Sequence, residues 1–347
     1  MIDDESLEKY SEVEGTFRSR LHRFIDWEEG ALKQKKGICS FLKENNLCDL
    51  YTALGKDSLC KTCRMYPRHV EEFDGLRELS LSLSCPVAAK MILTCKEGLQ
   101  LVEEETDEPE ELADEFEEFD FLLFSQLQDA RNVMFRFLSM GQIPIEVKIE
   151  QIVDTALKMQ DCIEAERYFE IDDVIREFEK QLGEKVEKQK VTSDFQSMRQ
   201  EFMVLQDLER LRPEWSEDLY STWKQLFAQD REEYNQITDA FSKAYGSESP
   251  YREEWNLFTE NLFGFFLLTY FCGAVYDDWI YSKAALAWFS VRWIQAVICA
   301  EWAEGRFGAD NYMDHWILVA YRYAREIEHS DENLNMLEEW LQRQKFH

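Results

Sequence analysis

Apolar residues recur three or four positions apart through most of the chain beyond residue 120, which is the spacing of one face of an α-helix. The first such segment begins at Phe121. It is predicted to end before Gly141 and Pro144, because a glycine followed by a proline commonly closes a helix. Pro213 predicts a further break. Three more helices are predicted over residues 149–169, 171–182 and 194–211.

Two long apolar runs lie in the last third of the chain, at residues 262–276 and 284–300. The first is short for a membrane span, and the second contains Arg292. Both runs are therefore predicted to be buried helices. Cys272 and Cys299 lie within them and are interpreted as buried packing residues.

The composition also favours helices. The chain of 347 residues contains only 13 Gly and 6 Pro, too few for the many turns of a strand-rich fold. Residues 214–347 hold nine of the ten Trp. A thick helical core is the simplest interpretation of these aromatic residues, and an aromatic cage for a ligand is the alternative. The predicted fold class is mostly α.

Charge narrows the range of partners. Lys and Arg number 39 against 70 Asp and Glu, which gives a net charge of −31. Such a surface repels phosphate, so neither nucleic acid nor an anionic membrane is expected as a partner. The first residues, MIDDE, are acidic rather than basic and apolar, so no signal peptide is expected and the predicted location is cytoplasmic. The nine cysteines are then expected to be thiols or metal ligands rather than disulfides.

The local charge balance divides the chain into three regions. Residues 31–95 carry ten Lys or Arg against seven Asp or Glu, whereas residues 97–120 carry 13 acids and no Lys or Arg. We therefore predict a small cysteine-rich metal-binding domain at 1–96 and a larger helical domain at 121–347. The acidic linker between them is predicted to turn into a helix near Leu112.

Five cysteines fall within 47 residues. They are Cys39, Cys48, Cys60, Cys63 and Cys85. The CxxC pair of Cys60 and Cys63 allows two sulfurs to reach one metal from a tight turn. No second CxxC is present, so the spacing predicts a four-thiolate site in which zinc and an iron–sulfur cluster both stay open. A set of buried free thiols is the alternative.

Four segments around these cysteines have a distinctive sequence: CSFL at 39–42, LCDLY at 47–51, LCKTCRMYPR at 59–68 and LSLSCP at 81–86. Together they closely resemble the flagellin lysine-N-methylase family, and LQDAR at 127–131 matches a stretch that recurs in that family. The resemblance implies an enzyme that uses S-adenosylmethionine to methylate lysine side chains of bacterial flagellin. It also implies an iron–sulfur cluster, four-iron rather than zinc, held by these five cysteines or four of them.

Members of this family usually carry a further cysteine group, of the CxxxC…CC kind, shortly before the stretch that matches Ile2 and Asp3. The sequence printed here begins after that point. A cluster that takes a ligand from that group would be incomplete, so the identity of the four ligands and the activity of the chain as printed are open at this stage. The cluster is also expected to order a loop-rich segment that lacks its own core.

Methyl transfer needs a neutral amine, although free lysine has a pKa of about 10.4, so the site must desolvate the ammonium or supply a base. Tyr66, three positions after Cys63, is the candidate base, with a packed tyrosine as the alternative. Arg64 and Arg68 are the candidates to bind the cofactor's carboxylate, with neutralisation of thiolate charge as the alternative. His69 is weighed as a ligand or base against a surface histidine.

Sequence signatures for binding S-adenosylmethionine are absent from the chain. No GxG occurs, and Lys56 stands where the radical arrangement CxxxCxxC needs a cysteine. The methyltransferase prediction therefore depends on the family resemblance. The alternative function is a non-enzymatic module that binds zinc or an iron–sulfur cluster and recruits a partner through its helices.

Overall fold

The computed structural model describes residues 2–35, 38–45, 47–105, 119–141, 143–182, 194–246 and 248–344. Within them, α-helices dominate and the strands are short and paired two by two, so the predicted mostly-α fold is confirmed. The chain forms two compact units. The first unit is Met1–Glu71 with Leu79–Ser82, and the second is Glu72–Glu78 with Leu83–His347.

The first unit combines short helices with short strand pairs. Its helices are α1 (Asp4–Glu12), α2 (Arg18–Phe24), α3 (Asp49–Leu54) and α4 (Lys61–Met65), with a 3₁₀ turn at Lys56–Ser58. Its strands are β1 (Ile25–Asp26), β2 (Ala31–Leu32), β3 (Gln34–Lys35) and β4 (Ile38–Cys39). Two longer strands, β5 (Arg68–Phe73) and β6 (Leu76–Leu81), pair with each other. Gly30 closes the β1–β2 turn at φ +57°, a conformation that favours glycine, and its carbonyl accepts the Ile2 N–H at 2.6 Å.

A small apolar core holds this unit together. Its buried members are Ile2, Tyr10, Leu21, Ile25, Phe41, Leu50 and Cys60. The half-buried side chains of Cys39 and Cys48 pack against it. The expectation that the cysteine-rich segment lacks its own core is therefore wrong: aromatic and aliphatic residues from α1, α2 and the loops bury one another before any metal is considered.

The second unit is a bundle of helices around one long central helix. The helices are α5 (Pro86–Leu93), α6 (Phe121–Leu138), α7 (Ile145–Glu164), α8 (Ile171–Gln181), α9 (Phe195–Asp207), α10 (Pro213–Thr222), α11 (Arg231–Tyr245), α12 (Arg252–Tyr270), α13 (Ile280–Ala303), α14 (Tyr312–Glu328) and α15 (Asp331–Gln344). Helix α13 packs against α7, α10, α11, α12, α14 and α15, which explains why it is apolar on nearly every side.

The four helices predicted from periodicity are present, with ends that differ from the predicted ones by up to five residues. The segment that begins at Phe121 ends at Leu138, ahead of Gly141 and Pro144 as expected, and both long apolar runs are buried helical segments. Cys272 and Cys299 are buried, as predicted. Pro213 starts α10 rather than only ending the preceding helix, because the first helical position needs no N–H donor.

The first unit ends at Ser82, whereas the predicted cysteine-rich domain extends to residue 96. Helix α5 belongs to the second unit because it packs against α12 and α14, and Asn261 of α12 donates its side-chain N–H to the Cys95 carbonyl at 2.9 Å. Most of the predicted acidic linker, including the helix start near Leu112, lies outside the described residues.

One stretch of the second unit, Arg252–Val275, is long and apolar enough to cross a membrane. However, 67% of its most apolar 18-residue stretch is buried inside the protein, as expected for the core helix of a bundle.

Candidate functional site

The CxxC pair lies at the start of α4. Cys60 is buried and immediately precedes the helix, whereas Cys63 is exposed and lies in its first turn. The thiol and the backbone N–H of Cys63 both donate to the Cys60 sulfur. The thiol hydrogen bond is the main cause that lowers the pKa of Cys60 to about 6, against the opposing effect of burial. The same bond, together with burial, raises the pKa of the donor, Cys63.

Two further cysteines approach this pair. Cys39 ends β4, and Cys48 directly precedes α3, where a bridge joins it to Leu42. Burial raises the pKa of Cys39, and Cys48 and Cys60 raise it further; Cys63 likewise interacts electrostatically with Cys39 and Cys48. Four of the five predicted ligands therefore share one unit and one electrostatic environment. Within the described residues, no three or more His, Cys, Asp or Glu side chains are already arranged as a metal site.

Cys85, the fifth predicted ligand, belongs to the second unit. It immediately precedes α5, and Pro86 takes the first helical position. The two residues before it are held by α14: the backbone N–H groups of Leu83 and Ser84 donate to the Glu328 carboxylate at 3.0 and 3.3 Å. Glu328 was not predicted from the sequence, because nothing local links residue 328 to residue 84.

Two side chains that sequence reasoning missed fix the CxxC turn. Asp3 precedes α1, accepts the Ser6 N–H at 3.0 Å, and accepts the Lys61 N–H at 2.6 Å with its other oxygen. Burial would raise the Asp3 pKa, but these hydrogen bonds outweigh it and lower the pKa to about 2. Tyr10 donates its hydroxyl to the Ser58 carbonyl at 2.6 Å, and its pKa is raised by burial and by Cys60 and Cys63.

The predicted cofactor-binding and catalytic side chains lie in α4 or directly after it. Tyr66 directly follows the helix, and its side chain is 43% exposed. Arg64 and Arg68 are exposed as well, and the Arg68 guanidinium donates to the Arg64 carbonyl at 3.5 Å. His69 lies 3.9 Å from Glu71, and both side chains are 41% exposed. This exposure is the one expected for a surface histidine, and a ligand or base role for His69 stays a prediction. The roles of Tyr66, Arg64 and Arg68 stay predictions.

The second unit contains a buried ionic network that the sequence did not predict. Asp218 of α10 and Glu301 of α13 are both fully buried. Arg322 of α14 donates to both Asp218 oxygens at 2.9 Å. Arg306 donates to Glu301 at 2.7 Å, and the His315 Nε2 is hydrogen-bonded to the other Glu301 oxygen. An acid directly after the apolar run 284–300 was the available sequence signal.

The two acids of this network share a proton. Burial raises the pKa of Asp218 to about 7, and the charge of Glu301 and the hydrogen bond between the two acids add to this shift, against the attraction of Arg322. Burial also acts on Glu301, but hydrogen bonds from His315 and Asp218 lower its pKa. Asp218 is therefore the proton donor of the pair and Glu301 the carboxylate.

The fold and these sites define a class: a mostly helical protein in which a small cysteine-rich unit accompanies a larger helical unit with a buried ionic network. Residues 131–347, more than half of the chain, match the family described as the FliB lysine N-methylase C-terminal domain. The chain belongs to this family, and the resemblance seen in the sequence is confirmed. The match includes the whole Asp218–Glu301 network.

Curated relatives are similar over a shorter stretch. "Flagellar biosynthetic protein FliU" of Salmonella muenchen is 32% identical over 80 residues, which is 23% of this chain and 47% of that protein. "Lysine-N-methylase" of Salmonella typhimurium and of Salmonella choleraesuis are each 34% identical over 77 residues, 22% of this chain and 19% of theirs. The matched stretch thus spans less than half the length of these relatives. No solved structure matches the chain.

Proposed function

We propose that this protein transfers methyl groups from S-adenosylmethionine to lysine side chains of flagellin. The observation that carries the proposal is the family match over residues 131–347, with relatives named for lysine methylation and for flagellar biosynthesis. A cytoplasmic location belongs to the same proposal, because reduced thiols persist there and all nine cysteines are free.

We further propose that Cys39, Cys48, Cys60 and Cys63 hold an iron–sulfur cluster. Their chemistry fits, since four thiols are the usual ligands of a four-iron cluster, and all four lie in the first unit. Such a cluster would supply a redox-capable centre that cross-links three chain segments. The proposed set is limited to these four because they interact electrostatically with one another; Cys85 belongs to the second unit.

The residues around α4 have defined tasks in this proposal. The exposed ring of Tyr66 is accessible to a substrate side chain, and its phenolate is the group we assign to accept the lysine proton, becoming a neutral phenol. The amine lone pair would then form the N–C bond to the methyl group as the C–S bond breaks and S-adenosylhomocysteine leaves. The exposed guanidinium groups of Arg64 and Arg68 are assigned to the carboxylate of S-adenosylmethionine. The matched variants are Tyr66→Phe, which keeps the ring, and Arg64→Lys, which keeps the charge but loses the planar fork.

Metal content is tested on anaerobically purified protein. We expect iron, sulfide and a broad absorbance band near ~400 nm, which zinc does not give. Cys63→Ala is expected to lose the iron, whereas Cys85→Ala keeps it. Cys95→Ala is the control, because the half-buried Cys95 lies outside the CxxC segment. Its thiol donates instead to the Gly98 carbonyl at 3.4 Å. Colourless protein with bound zinc would contradict the cluster, and iron loss in Cys85→Ala would contradict the ligand set.

Activity is tested with labelled S-adenosylmethionine and flagellin. We expect label on flagellin lysines from the chain as printed or from a version extended upstream to include the family's further cysteine group. If neither version transfers label, the methylase proposal fails. Bound metal without transfer would instead favour a metal-binding module that recruits a partner.

A further inference from the structure

Three tyrosines and one tryptophan of the second unit form a compact group, which we call the tyrosine cluster: Tyr245, Tyr251, Tyr312 and Trp316. They come from the end of α11, the turn before α12 and the first two turns of α14. The centroids of the Tyr251 and Tyr312 rings are 4.8 Å apart, and both lie within 5.9 Å of the Tyr245 ring. The Trp316 ring closes the group, 5.2 Å from Tyr245 and 4.9 Å from Tyr312.

The cluster opens toward the surface with its polar edges unused. Tyr245 and Trp316 are buried, whereas Tyr251 and Tyr312 are half-buried. Burial raises the pKa of Tyr245, and the phenols of Tyr251 and Tyr312 raise it further. None of the three hydroxyl groups has a hydrogen-bond partner among the residues that the structure describes, whereas the buried Tyr323 hydroxyl elsewhere in the unit is bonded to Ser290 at 2.8 Å.

The charge around the cluster suits a cation. Glu254, on the first turn of α12, is close enough to the Tyr312 phenol to raise its pKa, after the effect of burial. In the described part of the chain, Glu254 has no ion pair, and no arginine or lysine lies over any of the four rings. The Trp316 indole N–H is completely buried and has no partner in the described residues. The buried rings of Tyr245 and Trp316 also pack against Phe241, Phe307, Trp255 and Phe258. The ring faces left for a ligand are therefore those of the half-buried Tyr251 and Tyr312.

We propose that the tyrosine cluster binds an onium cation at the surface-facing rings of Tyr251 and Tyr312, with Glu254 supplying the opposing charge. The two onium groups of the reaction proposed above are the ammonium of the target lysine and the sulfonium of S-adenosylmethionine, so this inference rests on the proposed function for its ligand. The shared chemistry is a positive charge carried by alkyl groups, which aromatic faces attract and water solvates weakly.

Binding is measured by calorimetry with four probes: S-adenosylmethionine, its neutral counterpart S-adenosylhomocysteine, trimethyllysine and tetramethylammonium. Tyr312→Leu removes one ring and is expected to weaken onium binding about tenfold, whereas Tyr312→Phe keeps the ring and is expected to change it little. Glu254→Gln is expected to weaken binding several-fold. Tyr220→Leu is the control, because Tyr220 is 70% exposed on α10 and outside the cluster. Thermal melting of each variant verifies that it is folded.

The pattern of losses identifies the source of the cation. Loss confined to S-adenosylmethionine, with the S-adenosylhomocysteine affinity unchanged, assigns the cluster to the sulfonium; loss confined to trimethyllysine assigns it to the substrate amine. If the folded Tyr312→Leu protein binds every probe as tightly as Tyr220→Leu does, the inference is overturned. Binding can be measured without turnover, so the two proposals fail separately. If the protein transfers no methyl group but binds tetramethylammonium in a way that depends on Tyr312, only the proposed function is refuted.

Discussion

The proton shared by Asp218 and Glu301 predicts an unusual dependence of stability on pH. The Asp218 pKa is raised from 3.8 to about 7, so the folded chain holds a proton that the unfolded chain releases. The stability that this proton contributes is complete below pH 3.8 and is lost as the pH rises through 7. Between pH 5.5 and 7 the loss is about 2 kcal/mol, at about 1.4 kcal/mol per pH unit.

Asp218→Asn isolates this contribution. The amide does not titrate, but its NH2 group cannot accept the second hydrogen bond that Arg322 donates to Asp218, so the variant loses stability at every pH. The test is therefore the slope: between pH 5.5 and pH 7 the unfolding free energy of the parent protein is expected to fall by about 2 kcal/mol more than that of Asp218→Asn. Asp314→Asn is the control, because Asp314 is 73% exposed in its ion pair with Lys90, and such pairs contribute little to stability.

The assay is urea unfolding followed by tryptophan fluorescence, since nine of the ten tryptophans lie in residues 214–347 with the network. Measurements begin at pH 5.5 because the isoelectric point is about 4.6, where a protein without net charge tends to precipitate. Parallel curves of unfolding free energy against pH for the parent protein and Asp218→Asn would refute the shared proton.

Three further predictions concern Asp3, Cys63 and Glu328. Asp3→Ala is expected to lower the unfolding free energy of the first unit by about 2 kcal/mol in urea titrations, because it loses a helix cap and the bond to the CxxC turn; Asp3→Asn should lose less. Cys63→Ala should lower both the metal content and the melting temperature, and Cys95→Ala neither; unchanged values for Cys63→Ala would contradict a structural role of the cluster. Glu328→Ala should cost about 2 kcal/mol by calorimetric unfolding, since the N–H groups of residues 83–84 lose a charged acceptor.

The sequence by itself determined the helical fold and the proximity of the CxxC pair. Helical spacing is a local property, so the pattern that begins at Phe121 fixed that helix without knowledge of its neighbours. The CxxC spacing likewise placed Cys60 and Cys63 within hydrogen-bond reach, because Cys63 lies three positions after Cys60, about one helical turn away. The apolar runs predicted burial correctly, because such helices need packing on every side.

Only the tertiary structure decided which polar groups meet. Asp218 and Glu301 come from different helices, the carboxylate of Asp3 reaches a backbone N–H 58 residues away, and the tyrosine cluster is assembled from three separate elements. The physical reason is that periodicity specifies which face of a helix is buried but not which neighbour it is buried against. Hydrogen-bonded acids and packed rings arise at contacts between elements, where packing sets the distances and removes water.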